Sequence, residues 1–478
     1  MSDILNTIVY DNYNNPHRLQ REIARGGQGA IYLTQDPTIL IKLALKDGEP
    51  IQDDSQNYLY EQLKTSPIPP NLNLTLPIAV LKGMQGFVMQ LLDEMITFGD
   101  FFQNKAKLTK TTAWLETIEE PTIKRKLLDY YNTGASRKRL LAYLKSGTIL
   151  AELHANGLVY SDYSDNNAFI SANPKYTNIW LIDCDNLDTE QKRSKDYVYT
   201  PELAAPEIIR FADEYCNPEL EDRWGSGNTF ASDTYTYAKC LFAELLQNHV
   251  FKGALYYDKE AEAQTPGEAT ALLDNGSLPY IYDPDDQSNQ GGFFPIEAVV
   301  TEELQALFAE IFSEQGRFYK EYRPTMFNFI AEVAKNHDLL LRCDNCGMDY
   351  LATHEQCPWC DSALPKQIKL RSFYYEGDSK GKLIWKYYHE LEENTTLAVP
   401  LRLIHGMRAK EVDVTLFSIF FTNGKAKLTL TSQVDVKLWF SLDGVNYQPT
   451  QAISDLTGKF YLRIQEREDC YYLEGMIL

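Results

Sequence analysis

The spacing of apolar residues divides the chain into three parts. Up to residue 93, short apolar or alternating runs lie between turn residues, which predicts β-strands. From residue 94 to 335, apolar residues recur at helical spacing, as in the amphipathic stretch 140–156. After Pro365 the alternation returns, and it predicts an antiparallel β-sandwich-like domain at 366–478. Turns are expected there at Gly377, Gly424, Gly444 and Gly458. The fold class expected from this pattern is a multidomain α+β protein.

A glycine cluster lies between the first two long predicted strands. Gly26, Gly27 and Gly29 would let the backbone fold closely over phosphate groups, although a plain hairpin turn explains the same residues. The next strand places Lys42 between apolar residues, where a buried ammonium needs an anionic partner. On the following predicted helix, Glu61 is the carboxylate we expect in that role. The alternative is a solvated surface glutamate.

A second group of polar residues lies within 158–187. Asp162 is followed five positions later by Asn167, and an apolar run then leads to Asp183. Phosphoryl transfer needs a carboxylate at the acceptor hydroxyl, together with an amide oxygen and a carboxylate on Mg²⁺. These three residues therefore predict a phosphoryl-transfer site. His154, just before them, is expected to be a packed residue at a helix end rather than a base.

Taken in order, several segments within residues 15–335 resemble those of a Hanks-type (eukaryotic-like) protein kinase. The segments are ARGGQGAIY, ILIK with Lys42, YSDYSDNN, LIDCDN, AAPEI at 204–208, SDTYTYAKCLFAELL and YRPTM. The resemblance implies a bilobal protein-kinase fold, with an N-terminal lobe at 1–93 built on a five-stranded sheet and a C-terminal lobe at 94–335.

The resemblance also implies ATP and Mg²⁺ as cofactors and a protein Ser or Thr as phosphate acceptor. Lys42, held by Glu61, would orient the phosphates, and Asp162 would accept the proton of the acceptor hydroxyl. Asn167 and Asp183 would hold Mg²⁺. The remaining contacts to the nucleotide would come from the glycine loop and the end of the sheet, namely Gly26, Gly27, Gly29, Met89, Gln90 and Leu92.

Three of the departures from the kinase pattern bear on activity and its control. Ser161 stands where an Arg usually reads the activation-loop phosphate, so we expect activity that does not depend on that phosphorylation. Ser164 replaces a Lys that usually contacts the γ-phosphate, which removes one cation from the developing charge. Asp185 replaces a Gly and could alternatively join the metal ligands.

Other matched residues are expected to be structural. Glu207 and Arg323 resemble a buried ion pair, and Asp233 resembles the anchor of the catalytic-loop backbone. The acidic insertion at 213–228 is expected to be a solvated loop, with a docking surface as the alternative.

Two C-x-x-C pairs follow the kinase-like part. Cys343, Cys346, Cys357 and Cys360 have the spacing of a structural Cys₄ zinc site, which predicts a zinc ribbon at 336–365. A redox dithiol is the weaker alternative.

Composition restricts the partners. The 478 residues carry a net charge of −21, which disfavours nucleic acid and anionic membranes. There is neither a signal-peptide pattern nor an apolar run of about 20 residues. Four of the eight cysteines are paired by spacing, which indicates metal binding in a reducing, cytoplasmic compartment.

The domain order resembles the kinase of a bacterial three-gene phosphorylation system found near tellurite-resistance genes. This resemblance implies a von Willebrand A protein as a protein substrate and a PPM-type phosphatase as an opposing partner, with the β-rich domain used for interaction. Two other functions stay open: a nucleotide-binding pseudokinase scaffold, which the changes at Ser161, Ser164 and Asp185 allow, and a small-molecule kinase of the aminoglycoside type.

Overall fold

The computed structural model describes residues 4–27, 29–103, 113–189, 200, 202–209, 228–376 and 379–478. Gly377 and residues 213–227 of the acidic insertion, for which the sequence makes predictions, lie outside these ranges.

An antiparallel sheet forms the N-terminal part. Its strands are β1 Ile8–Tyr10, β2 Pro16–Arg25, β3 Gly29–Thr34, β4 Ile39–Lys46, β5 Glu49–Pro50, β6 Ala79–Val80 and β7 Gly86–Gln90. They pair in the order β1-β2-β3-β4-β7-β6, and β5 pairs with β4. The prediction of five strands was wrong, because β1 and β5 also join the sheet. Strand β5 folds back on β4 through Asp47 and Gly48, whose positive φ angles of 53° and 82° suit a tight hairpin turn.

Lys42 lies among apolar residues on one face of this sheet. Register places Lys42 between Ile31 and Phe87, and the neighbouring row contains Leu40 and Met89. Residues paired directly across antiparallel strands point to the same side. The side chains that surround Lys42 on this face are therefore apolar.

Helices dominate the next part. They are α1 Tyr58–Thr65, α2 Phe98–Phe102, α3 Ala113–Glu116, α4 Pro121–Asn132, α5 Ala135–Ala155, α6 Phe230–Leu246, α7 Ala254–Glu262, α8 Pro266–Asp274, α9 Ile296–Val299, α10 Glu302–Phe312, α11 Glu314–Phe318 and α12 Met326–His337. Helix α5 is mostly buried, and Gly157 follows its end with a φ of 79°, as predicted. None of the helices in the described part of the chain is long and apolar enough to cross a bilayer.

Two small sheets lie beside α5. Strands β8 Met95–Thr97, β10 Ala168–Ser171 and β11 Ile179–Leu181 form one, and β9 Leu158–Val159 pairs with β12 Asp188–Thr189. Strands β10 and β11 lie between Asp162 and Asp183 in the chain, and β9 and β12 pair just outside these residues. The two sheets therefore fix the distance between these predicted site residues.

A short hairpin and two antiparallel sheets complete the chain. The hairpin is β13 Leu340–Arg342 with β14 Asp349–Leu351. The first sheet has β15 Gln367–Glu376, β16 Ser379–Glu390, β20 Lys437–Ser441, β21 Gln448–Thr450, β23 Lys459–Glu466 and β24 Asp469–Ile477. The second has β17 Thr395–Pro400, β18 Thr415–Thr422, β19 Lys425–Leu430 and β22 Ala452–Leu456, and a short helix, α13 Arg402–His405, follows β17. Two antiparallel sheets at 366–478 agree with the predicted β-rich pattern.

The helices, the hairpin and the two C-terminal sheets share one hydrophobic core. A single cluster of buried side chains includes Leu150 of α5, Tyr350 of the hairpin, and Leu473 and Phe417 of the two C-terminal sheets. Helix α12 also continues across the predicted boundary at residue 335. The C-terminal part is therefore packed against the helices rather than tethered to them.

Two buried ion pairs join the C-terminal part to the rest. The guanidinium of Arg402 donates to Asp338 at 2.7 and 2.5 Å, and Trp385 donates to the same carboxylate at 2.9 Å. Arg137, on α5, binds Glu390 with both guanidinium nitrogens. Burial alone would raise the pKa of each acid, but the arginines outweigh it and hold the pKa of Asp338 and of Glu390 at about 2.

We predict acid lability from these pairs. Since both folded-state pKa values lie below those of unfolded Asp and Glu, near 4, their stabilisation is complete above about pH 4 and is lost as the pH falls towards 2. Asp338→Asn should lower the free energy of unfolding at neutral pH by about 3 kcal/mol or more, because Arg402 stays buried and unpaired. Urea unfolding at several pH values measures both effects.

The control is Asp455→Asn, which breaks the exposed pair between Lys425 and Asp455. Its effect should stay below about 1 kcal/mol. Equal effects of the two variants, or stability that does not change between pH 5 and pH 2.5, would contradict the assignment.

Candidate functional site

Helix α6 holds the loop that carries Asp162. The buried carboxylate of Asp233 accepts the backbone N–H of Tyr160 at 2.7 Å and that of Ser161 at 2.9 Å. Ser161 has a φ of 77°, which is costly for a residue other than glycine and persists only where the surroundings fix it. His154 Nε2 lies 3.0 Å from the same carboxylate, at the end of α5. The predicted roles of Asp233 as anchor and His154 as a packed residue agree with this geometry.

Asp162 lies at the centre of a small hydrogen-bond network. The hydroxyl of Thr200 donates to its Oδ1 at 2.8 Å, and Asn167 Nδ2 donates to its Oδ2 at 3.1 Å and to its backbone carbonyl at 2.8 Å. Burial raises the pKa of Asp162, and these hydrogen bonds offset part of that rise. The amide of Asn167 is thereby oriented so that its oxygen is the atom left for a cation.

Asp183 and Asp185 both reach Lys42. Lys42 Nζ lies 2.8 and 2.9 Å from the two carboxylate oxygens of Asp185 and 3.2 Å from Asp183 Oδ1. Burial lowers the pKa of Lys42, but the two carboxylates outweigh it and raise that pKa above its usual range. Asp183 itself has a φ of 53°, so its backbone is strained in the same way as that of Ser161. The Lys42 face of the sheet and the 158–187 segment therefore meet through charged groups.

The structure does not bring Glu61 to Lys42. Helix α1 points Tyr60 at the Phe87 ring, with ring centroids 4.8 Å apart, and the next residue along the helix is turned by about 100°. Glu61 is accordingly exposed and accepts a hydrogen bond from Asn12 at 3.0 Å. The predicted ion pair between Lys42 and Glu61 is therefore not formed. On this side of the sheet α1 contributes the ring of Tyr60, and Lys42 obtains its counter-charge from Asp185.

The glycine cluster forms the turn between β2 and β3. Gly26 N–H donates to the Gly29 carbonyl at 2.9 Å, and Gln28 lies outside the described residues. A Cβ on Gly29 would lie 3.2 Å from both the Leu43 carbonyl and the Lys42 Cε atom. Gly29 therefore lets the turn pass close to the ammonium-bearing side chain, while space around Gly26 and Gly27 is open.

The predicted adenine contacts lie at the end of β7. Met89 is buried beside Leu40 and Phe87, on the same face as Lys42. Gln90 is exposed, and Leu92 is half-buried just beyond the strand. Buried apolar side chains thus adjoin the charged cluster.

A bidentate ion pair stabilises the segment after Thr200. Arg323 donates to Glu207 at 2.8 and 2.7 Å and to the Gly316 carbonyl at 2.6 Å. The sequence predicts this pair, and the structure forms it. It holds residues 202–209 near α6, and so keeps Thr200 beside Asp162.

Sequence reasoning missed two contributions to this site. The hydrogen bond from Thr200 to Asp162 could have been suspected, because Thr200 lies just before the segment 204–208. The role of Asp185 as the main partner of Lys42 had no signal in the spacing, since 143 residues separate them.

Four cysteines form a second candidate centre. The Sγ atoms of Cys343, Cys346, Cys357 and Cys360 all lie within 4.8 Å of one another. The closest pairs are 3.6 and 3.7 Å apart, near the roughly 3.8 Å edge of a tetrahedron with metal–sulfur bonds of about 2.3 Å. The donor set and spacing fit a tetrahedral metal ion such as zinc.

Metal binding at this centre is a direct prediction. The purified chain should contain one tightly bound metal ion, and Cys357→Ser should lose the ion and lower the thermal stability, because ligand binding and folding of the hairpin are coupled. Elemental analysis and thermal unfolding measure the two effects. Cys470→Ser, which changes a cysteine outside the cluster, should retain the metal, and a metal-free wild-type protein of normal stability would contradict the prediction.

No model of a protein family matches the chain, and no curated protein matches it. The functional conclusion therefore rests on the two centres described above.

Proposed function

We propose that this chain is an ATP-dependent protein Ser/Thr kinase with a bilobal kinase fold at residues 1–335. One observation carries the proposal: Lys42 lies 3.2 Å from Asp183, and the N–H of Ile182, next to Asp183, donates to the carbonyl of Asn167, whose amide donates to Asp162. The resemblance of the motifs predicts this convergence of residues that are far apart in sequence. The apolar side chains of Met89, Leu40 and Phe87 adjoin Lys42 on the same face.

Each residue would have a distinct task. Asp162 would orient the acceptor hydroxyl and take its proton as the oxygen attacks the γ-phosphorus and the bond to the β-phosphate oxygen breaks. Lys42 would neutralise phosphate charge, and Asn167 and Asp183 would hold Mg²⁺, which supplies further charge stabilisation when bound. Thr200 would keep the Asp162 carboxylate in position through its 2.8 Å hydrogen bond.

Asp185 would replace the helix glutamate as the positioning residue for Lys42. Its carboxylate engages the ammonium through both oxygens, whereas Asp183 uses one oxygen and keeps the other for a cation. Lys42 would therefore be oriented without any movement of α1.

The remaining assignments are part of the same proposal. The metal of the Cys₄ centre would be zinc with a structural role, because all four ligands are thiolates and leave no open position. The phosphate acceptor would be a protein such as a von Willebrand A partner, with a PPM-type phosphatase reversing the reaction in the cytoplasm.

The first experiment measures ATP turnover by phosphatase-treated protein. We expect turnover to persist, because Ser161 offers no cation to an activation-loop phosphate. Asp162→Asn should reduce kcat by roughly 10²- to 10⁴-fold with little change in nucleotide affinity, since it removes the proton acceptor. The surface change Asp258→Asn is the matched control.

One alternative function is a nucleotide-binding scaffold. Ser164 and Asp185 favour it, because one cation is absent and an extra carboxylate faces Lys42. Binding of ATP without turnover in the wild type would select the scaffold, and absence of nucleotide binding would rule out both functions.

A second experiment separates Asp185 from Glu61. Asp185→Asn should raise the KM for ATP by roughly tenfold, the equivalent of one charge-assisted hydrogen bond, because Lys42 loses its main partner. Glu61→Gln should leave KM nearly unchanged, because Glu61 binds Asn12. If Glu61→Gln is the more damaging change, α1 must move to Lys42 during the reaction and the assignment of Asp185 is wrong.

A further inference from the structure

The outer face of the six-stranded C-terminal sheet is unlike the rest of this acidic chain. Its inner face is apolar and buried, with residues such as Leu462 and Leu473. Register places the opposite side chains on the outer face in continuous rows, for example Trp439, Arg463, Tyr472 and Phe373 across four strands. We call this outer side of the sheet the basic face.

Cations far outnumber acids on the basic face. Its cations come from three separate strands: Lys369, Arg371, Lys437, Lys459 and Arg463. Lys386 adds another at the edge beside Glu303 and Glu332. Within these rows, Glu474 is the acidic residue among those described, and it pairs with Arg371 at 2.6 Å. Against a net charge of −21 for the chain, this is a local reversal of sign.

Aromatic rings hold several of these cations in place. The Arg463 guanidinium lies 4.6 Å from the Trp439 ring, Lys459 Nζ lies 4.9 Å from the Tyr461 ring, and Lys369 Nζ lies 5.2 Å from that of Tyr388. A stacked guanidinium or ammonium keeps its N–H groups free for an anion.

No ion-pair partner among the described residues lies within 4.0 Å of Lys369, Lys459 or Arg463. Asp443, in the turn beyond β20, directs its carboxylate to its own loop, where it accepts from Val445 and Asn446 N–H groups at 2.8 Å. Lys369, Lys459 and Arg463 therefore lie against aromatic rings and form no ion pair with the described residues.

We propose that the basic face binds an acidic polypeptide segment. Charge complementarity indicates an anionic partner, and the covered rings argue against nucleic acid, because base stacking needs free aromatic faces. Lys369 and Arg371 are two residues apart on β15, about 6.7 Å, which is also the spacing of same-side side chains in an extended peptide. Carboxylate or phosphate groups on every second residue of such a segment would therefore lie opposite Lys369 and Arg371. This inference is independent of phosphoryl transfer.

The sequence did not reveal this face, because period-2 alternation scatters its cations over residues 369–463. No linear basic cluster marks it, and the overall charge points the other way. Only the strand order brings β15 and β23 to either side of β24.

The test is fluorescence anisotropy with the full chain at low salt and three labelled probes. They are an alternating Glu-Ser peptide, its Gln-Ser counterpart and an oligothymidylate of matching length. We expect binding of the Glu-Ser peptide that weakens with salt, and no comparable binding of the other two. A triple variant should weaken peptide binding by roughly tenfold or more, since three charge contacts are lost. The variant is Lys369→Gln, Lys459→Gln and Arg463→Gln.

A charge-matched control separates the basic face from net charge. It removes three exposed lysines elsewhere: Lys175→Gln, Lys320→Gln and Lys427→Gln. Peptide affinity should change less than about twofold in the control, and equal thermal stability of both variants shows that each is folded. Equal losses in the two variants, preferential binding of the oligonucleotide, or equal binding of both peptides would each overturn the proposal.

Discussion

The ammonium of Lys42 is the group on which the arrangement of this molecule depends. It is buried on an apolar sheet face, so it must be neutralised, and the carboxylates that do so belong to a segment more than 140 residues later. The N-terminal sheet and the helical part are thereby joined at one charged point.

Buried charges join elements elsewhere in the same way. Asp233 fixes the strained backbone around Ser161, Arg323 fixes the segment after Thr200, and Asp338 fixes helix α13 through Arg402. In each case an ionised group from one element forms hydrogen bonds with another element, so neither element can shift without exposing an unpaired charge. Apolar packing supplies the bulk of the stability, and these contacts select one arrangement of the packed elements.

Local signals in the sequence predicted much of this architecture, and the reason is physical. Strand alternation, the glycine that ends α5 and the cysteine spacing each depend on a few neighbouring residues. The anchors Asp233 and Arg323 were also foreseen, through ordered motifs. The prediction that failed concerned two residues that only the three-dimensional fold could bring together. Glu61 lies on the expected helix but on the side away from Lys42, and Asp185 pairs with Lys42 instead. The basic face escaped notice for the same reason, since strand order assembles it.

The cysteine hairpin belongs to the framework that positions Asp162. Asp349, in β14, accepts the backbone N–H of Arg137 at 2.8 Å, in the first turn of α5, where a carboxylate also interacts well with the helix dipole. Arg342 of the same hairpin holds Asp349 and reaches the Gly134 carbonyl. Helix α5 then runs rigidly to the loop of Asp162. Because a metal ion would fix the hairpin that holds one end of α5, its structural effect extends to the loop at the other end, and the Cys₄ centre and the charged site are parts of one scaffold.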